Sequence, residues 1–236
     1  MAGLARTGAA DAGEIGDDPR RNREDLALDI ARLLEEDIVF GRLHPRERLV
    51  EEAIAARFEV KRHVVRQAIV ELERLGLVDR LRNKGAVVRV YTEKEVDDIN
   101  TVRELLESEA ASCIALPLSP ASIAELEDIQ REHSAAVEAH DRRGVFRCNI
   151  AFHKALFAHC GNAALAEAIN IFAQKSHAYR SIAVSDRTYQ AWAASAHWEM
   201  IDAIRNEDRP RLVALCKAHL GPSKNHYIET LRARYG

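Results

Sequence analysis

The sequence predicts a mainly α-helical chain in two parts: three helices closed by a β-hairpin, then an all-α bundle of six antiparallel helices. Three observations carry this. Apolar residues recur at three- and four-residue spacing along most of the chain. Two short β-type runs, Leu77–Leu81 and Ala86–Tyr91, flank the turn Arg82-Asn83-Lys84-Gly85. After Thr92 there is no strand-like alternation, repeat or low-complexity tract.

The first helix is expected over 24–40, with Leu26, Ile30, Leu33, Leu34 and Ile38 on one face. Gly41 stops it and His44-Pro45 marks a turn. A short helix over 50–58 turns Ile54 and Phe58 inward, and a third over 61–75 carries Val65, Ile69, Leu72 and Leu75, with Gly76 at its C-terminal cap. The hairpin follows. Six helical segments are then expected at 93–116, 119–141, 143–160, 162–183, 186–206 and 209–233, separated by Pro, Gly and Asp-rich breaks. Thr92 with Glu95, and Ser119 with Ser122, offer N-terminal capping chemistry. The domain junction is therefore expected near residue 92, with a disordered arm over 1–23.

Composition bounds the function. The 236 residues are 47% hydrophobic, enough for a packed core. No apolar run approaches the roughly 20 residues needed to cross a bilayer, and the first residues lack a signal-like apolar core. Cys113, Cys148, Cys160 and Cys216 form no CxxC pair, which argues against a thiolate zinc ribbon and for reduced thiols in a cytoplasmic protein. Net charge is −3, but residues 42–91 hold 12 Lys/Arg against 7 Asp/Glu, while 92–236 hold 17 against 20. A basic block on an acidic chain points to a polyanionic partner.

Three helices followed by a hairpin is the order of a winged helix-turn-helix. A helix of this diameter fits the DNA major groove, and its N-terminal residues reach base edges. Here that end is Lys61-Arg62-His63, with Arg66 on the face of Arg62. Arginine reads guanine with two hydrogen bonds or clamps a phosphate. At the wing, Arg82 and Lys84 supply charge and Gly85 permits close backbone approach.

About fifty residues here resemble the GntR family of bacterial regulators: Gly41-x-Leu43-x-Pro45, Glu47-Arg48-Leu49, Glu51, Val60-x-Arg62, Val65-Arg66, Leu72-Glu73, Gly76-Leu77-Val78 and Lys84-Gly85. The resemblance implies that Arg62 and Arg66 are the principal DNA readers, with Lys84 and Gly85 in the wing. The chain departs from the family where Arg46 and Glu59 replace glycine, and where Lys61, His63 and Val64 replace Ser, Thr and Pro. The first two changes bear on turn geometry, the others on the reading head, and Glu59 adds a negative charge beside the DNA face.

In the second part, Asn149 and His153 lie four apart, on one helical face. His197 and His219 follow on later segments, and inward side chains on facing helices are how bundles build metal sites. Three neutral imidazoles suit Zn, Ni, Mn, Co or Fe as divalent ions. Residues 93–236 resemble the FCD effector domain of the FadR subfamily, in its VanR-like group, through Arg103-x-x-x-Glu107-x-x-Ala110, Asn149-x-x-x-His153, His197-x-x-x-Ile201 and His219. The resemblance implies a metal held by Asn149, His153, His197 and His219, with Asn149 standing where Asp is commoner. It also implies a small carboxylate effector, for which Arg103, Tyr179 and Arg180 are candidate contacts. Arg103 has a second reading, an ion pair with Glu107 one turn on.

The expected function is a homodimeric repressor of a double-stranded operator, controlled by an organic acid bound at the metal cavity. Two alternatives stand beside it: a purely structural metal, and a metal-dependent hydrolase. The hydrolase lacks HExxH, a nucleophile elbow and a phosphate loop.

Overall fold

The computed structural model describes residues 23–81, 85–180 and 186–235. The expected arm lies outside them except for Arg23, which begins the first helix, and so does the hairpin tip Arg82-Asn83-Lys84.

The chain opens with α1 (Arg23–Val39), β1 (Arg48–Leu49), α2 (Glu51–Arg57), α3 (Arg62–Arg74), β2 (Val78–Leu81) and β3 (Gly85–Val88). The expected stripes meet in one core: Ile30, Leu34 and Ile38 of α1 with Val65, Ile69 and Leu72 of α3, roofed by Leu77 and Val88. Each such side chain contributes about 1.5–3 kcal/mol on burial. Gly76 ends α3 in left-handed backbone (φ 76°), and a Cβ there would meet the Tyr91 hydroxyl at 2.4 Å.

The expected hairpin is part of a three-stranded antiparallel sheet in the order β1-β3-β2. Leu81 faces Gly85 across the hairpin, and Leu49 faces Ala86 on the other edge. Two residues are too short a strand for periodicity to announce. What secures β1 is its partner: Arg46 N–H donates to the Val88 carbonyl at 2.9 Å, and Val88 N–H to that of Glu47 at 2.8 Å.

The second part comprises α4 (Glu93–Cys113), α5 (Pro120–Glu138), α6 (Arg142–Ala158), α7 (Ala163–Lys175), α8 (His177–Arg180), α9 (Arg187–Arg205) and α10 (Arg209–Tyr235). The segment expected as one helix over 162–183 divides at Ser176, whose hydroxyl donates to the Ala173 carbonyl at 2.6 Å. Caps stand at the expected breaks. Thr92 and Glu95 form a reciprocal capping box, Ser119 accepts from Ser122 N–H, and Asp141, Asn162 and Asp186 cap α6, α7 and α9. The bundle core gathers Phe152, Leu156 and Phe157 of α6, Met200 and Ile201 of α9, and Leu212 of α10. No helix among the described residues is long and apolar enough to cross a membrane.

Among the described residues, the parts meet in two regions. At the chain crossing, Tyr91 donates its hydroxyl to the Gly76 carbonyl at 2.8 Å and its N–H to the Tyr227 hydroxyl at 3.1 Å, linking the end of α3 to α10. On the other side, α1 lies against α6 and α8: Val39 and Phe40 pack on Phe146 and Ile150, the Phe40 and Phe146 rings edge to face.

Candidate DNA interface and metal centre

At the start of α3, Lys61, Arg62, His63 and Arg66 are exposed while Val64 and Val65 point into the core. Val64 is therefore not part of the reading head, contrary to the sequence-based expectation; the third position of the helix faces inward. Arg62 and Arg66 share an open groove of about 760 Å³ with Arg48, Arg80 and Gly85. Arg48 and Arg80 were not foreseen, because single arginines in such short strands carry no periodic signal. Gly85 is left-handed (φ 82°), and a Cβ there would lie 3.1 Å from the Leu49 carbonyl, so its close approach is to β1. Arg82 and Lys84 lie outside the described residues.

Arg62 and Arg66 are both held by carboxylates of α2. Arg62 pairs with Glu52 at 2.5 Å and Arg66 with Glu51 at 2.9 Å, all four side chains open to solvent to some degree. Such exposed pairs contribute little to stability, and a phosphate or guanine edge can take the place of either carboxylate.

Arg46 and Glu59, where the resemblance leads one to expect glycine, hold left-handed backbone (φ 68° and 53°). The turn geometry is kept and the residues are strained.

In the bundle, His153 of α6, His197 of α9 and His219 of α10 converge, their ring nitrogens within 4.8 Å of one another. Their rings are neutral. Burial pushes His219 down to about 3, and His153 and His197 well below the usual imidazole value, helped by one another and by nearby Arg180. Gln130 fixes the tautomer of His197. Its amide nitrogen donates to the Ala194 carbonyl at 2.9 Å, so its oxygen faces His197 Nδ1 at 2.9 Å and accepts a hydrogen bond from the N–H there. His197 Nε2 then carries a lone pair, aimed at His153 Nε2 3.3 Å away. Neither His219 ring nitrogen has a partner among the described residues.

This donor set fits a divalent ion. Bonds of about 2.0–2.1 Å at the tetrahedral angle place two nitrogen ligands about 3.4 Å apart, close to the 3.3 Å found here. Two partnerless nitrogens on the buried His219 ring are costly unless a cation or water reaches them. Aromatic rings wall the cluster: Phe152 stacks on His197 (centroids 4.1 Å apart) and Trp192 on His219 (5.1 Å). His133, tilted against His197 at 5.1 Å and pushed down to about 4 by burial, is a neighbour that sequence reasoning missed. The signal existed: Leu126, Gln130 and His133 share a face of α5, and polar residues on an apolar stripe need partners.

His153 and buried Asn149 open onto a cavity of about 360 Å³, which Arg103, Glu107 and Arg180 also line. The ion-pair reading of Arg103 is realised: its Nε donates to Glu107 at 2.9 Å, and one terminal nitrogen donates to Ser176 Oγ at 3.2 Å. Tyr179 is fully buried between Tyr91 and Tyr227 and does not line this cavity. α1 contributes Arg32, Glu35 and Glu36 to the cavity wall, and α7 contributes Asn170 and Gln174.

Comparison with known proteins follows the same division. Residues 26–88 match the family described as bacterial regulatory proteins, gntR family, and residues 98–221 match the FCD domain. A probable D-xylose utilization operon transcriptional repressor of Paenarthrobacter nicotinovorans is 27% identical over 203 residues, 85% of this chain and 87% of that one. The HTH-type transcriptional repressor RspR of Escherichia coli is 27% identical over 127 residues, 54% of this chain and 56% of the relative. Among solved structures, a GntR-type putative regulator from Rhodococcus superposes with a TM-score of 0.72 at 20% identity, over 86% of this chain and 97% of that one. E. coli McbR/YncC superposes with a TM-score of 0.71 at 19% identity, over 89% and 99%.

Proposed function

This chain belongs to the GntR family of bacterial regulatory proteins, as a DNA-binding transcription regulator with an FCD domain, and from that premise we propose that it is a repressor released from its operator by a small organic acid. The division proposed is a DNA-binding head over 24–91 and a sensing domain over 92–236. As a homodimer, the protein would set two α3 helices on the half-sites of a near-palindromic operator.

The observation that carries the DNA half is the exposed quartet Arg48, Arg62, Arg66 and Arg80 around one groove at the N-terminus of α3. Base contact is assigned to Arg62 and Arg66, with Lys61, His63 and the wing on the backbone. For the sensing half we assign His153, His197 and His219, with Asn149 beside them, to a divalent metal, of which Zn, Ni and Mn fit the donors best. When bound, the ion supplies a Lewis-acidic position for a carboxylate oxygen. Gln130 holds His197 in the ligating tautomer, and Arg103 and Arg180 keep the cavity positive. Nothing here requires turnover: the family is one of transcription regulators, and that answers the hydrolase alternative.

The test is operator binding to DNA fragments flanking the gene that encodes the protein. Arg62→Ala or Arg66→Ala should weaken specific binding by about 1–3 kcal/mol, and affinity should fall steeply with salt. Unchanged binding in both variants would remove α3 from the interface.

A further inference from the structure

The cavity beside the histidines has two ends, and each has positive charge in excess. At the buried end the Arg103 guanidinium is matched by Glu107, while Arg180, equally buried, adds a second cation to the wall. At the exposed end stand Arg32, Arg147 and Lys154, with Glu35 and Glu36 of α1. Arg143 reaches Glu36 from outside the cavity at 2.6 Å, and Asp29 offsets Arg32 at 3.4 Å. Three lining cations therefore face two lining carboxylates at the mouth, again one charge in excess, and the outer pair Arg143 and Asp29 leaves that balance unchanged. The volume, about 360 Å³, lies at the small end of the roughly 300–1,000 Å³ range of ligand pockets.

We infer that the effector is a dicarboxylate lying across this cavity, with one acid group at the Arg103–Arg180 end and the other at the mouth, where Arg147 and Lys154 bind it in competition with Glu36 of α1. The inference rests on the reading of this cavity as the effector site and adds to it a second subsite, built partly from the DNA-binding head itself. Glu36 is buried and is held by Arg147 at 2.7 Å and by Arg143. An acid group that draws Arg147 away leaves Glu36 with one arginine and loosens α1 from α6. Glu35, the adjacent residue of α1, faces His177 Nδ1 at 2.5 Å on the same wall. The ligand thus reaches the head by direct contact, through differential interaction with the docked and undocked states.

The test compares succinate and glutarate with propionate and butyrate as probes on the full chain, read by calorimetric titration and by release of a labelled operator. The diacids should bind about tenfold more tightly than the monoacids, the worth of one charge-assisted contact. Lys154→Gln should bring the two classes together without weakening monoacid binding, and Lys154→Arg should restore the difference. Lys154 is exposed, so neither change threatens folding. Equal affinity for mono- and diacids, or a Lys154→Gln variant that keeps the difference, overturns the second subsite and leaves the effector reading standing. Binding of neither class overturns the effector reading itself.

Discussion

Glu59 sits at the turn between α2 and α3 with φ 53°, a conformation in which its Cβ crowds the following carbonyl. Left-handed backbone costs a side-chain-bearing residue about 1 kcal/mol relative to glycine. Glu59→Gly should therefore raise stability by about that amount, as read by urea unfolding, and should also remove a negative charge beside the α3 N-terminus. A lower unfolding midpoint would mean that the side chain holds the turn by a contact outweighing the strain. Arg46 poses the same backbone problem (φ 68°), but its N–H is tied to the Val88 carbonyl at the edge of the sheet, so Glu59 is the cleaner probe. Sequence comparison alone could flag both residues as departures; only the backbone angle shows that the turn was kept.

α1 serves two cores. Its apolar stripe packs on α3 as its periodicity requires, while Glu35, Glu36 and Val39, with Phe40 just past its end, reach α6 and α8. The next residue, Asp37, is also buried and accepts from Arg42 and Arg57 within the head. Buried acids on a helix look, in sequence, like an ordinary solvated face. Glu36→Ala leaves two arginines facing each other without their carboxylate, at a cost of about 1–3 kcal/mol for charge-assisted bonds to half-exposed partners. The expected sign is faster proteolysis between the head and α6, with the operator affinity of the ligand-free protein altered. A variant as stable as the parent, and as tightly bound to operator, would show that this contact does not couple the two parts.

At the scale of the whole molecule, His153, His197 and His219 come from three different helices, so a metal bound there joins elements far apart in sequence. Binding to the folded state alone stabilises it by RT ln(1 + [M]/Kd), about 4 kcal/mol at a thousandfold excess over Kd. Zinc should raise the melting temperature, a chelator should reverse the rise, and His219→Ala should abolish it. No shift with Zn, Ni or Mn would remove the metal from the assignment. A large shift with no metal dependence of effector binding would make the ion a brace rather than a receptor for ligand.

The fold was legible where a local pattern repeats. The stripes of α1 and α3, the capping pairs at Thr92 and Ser119, the glycine at the end of α3 and the hairpin are properties of neighbouring residues, and neighbouring residues carry them into any context. The three histidines were legible as a set through the resemblance. Their shell was not: Gln130 and His133 matter because α5 lies beside α9, and two-residue β1 exists because β3 offers it hydrogen bonds. Likewise, nothing local says that Glu35 and Glu36 of α1 line the wall of a cavity shared with α4, α6 and α7. Chain order and amphipathic period determine which elements form and which faces are apolar. Which charges meet across two packed elements is set by three-dimensional distance, and distance between residues remote in the chain is decided only when the whole core has closed.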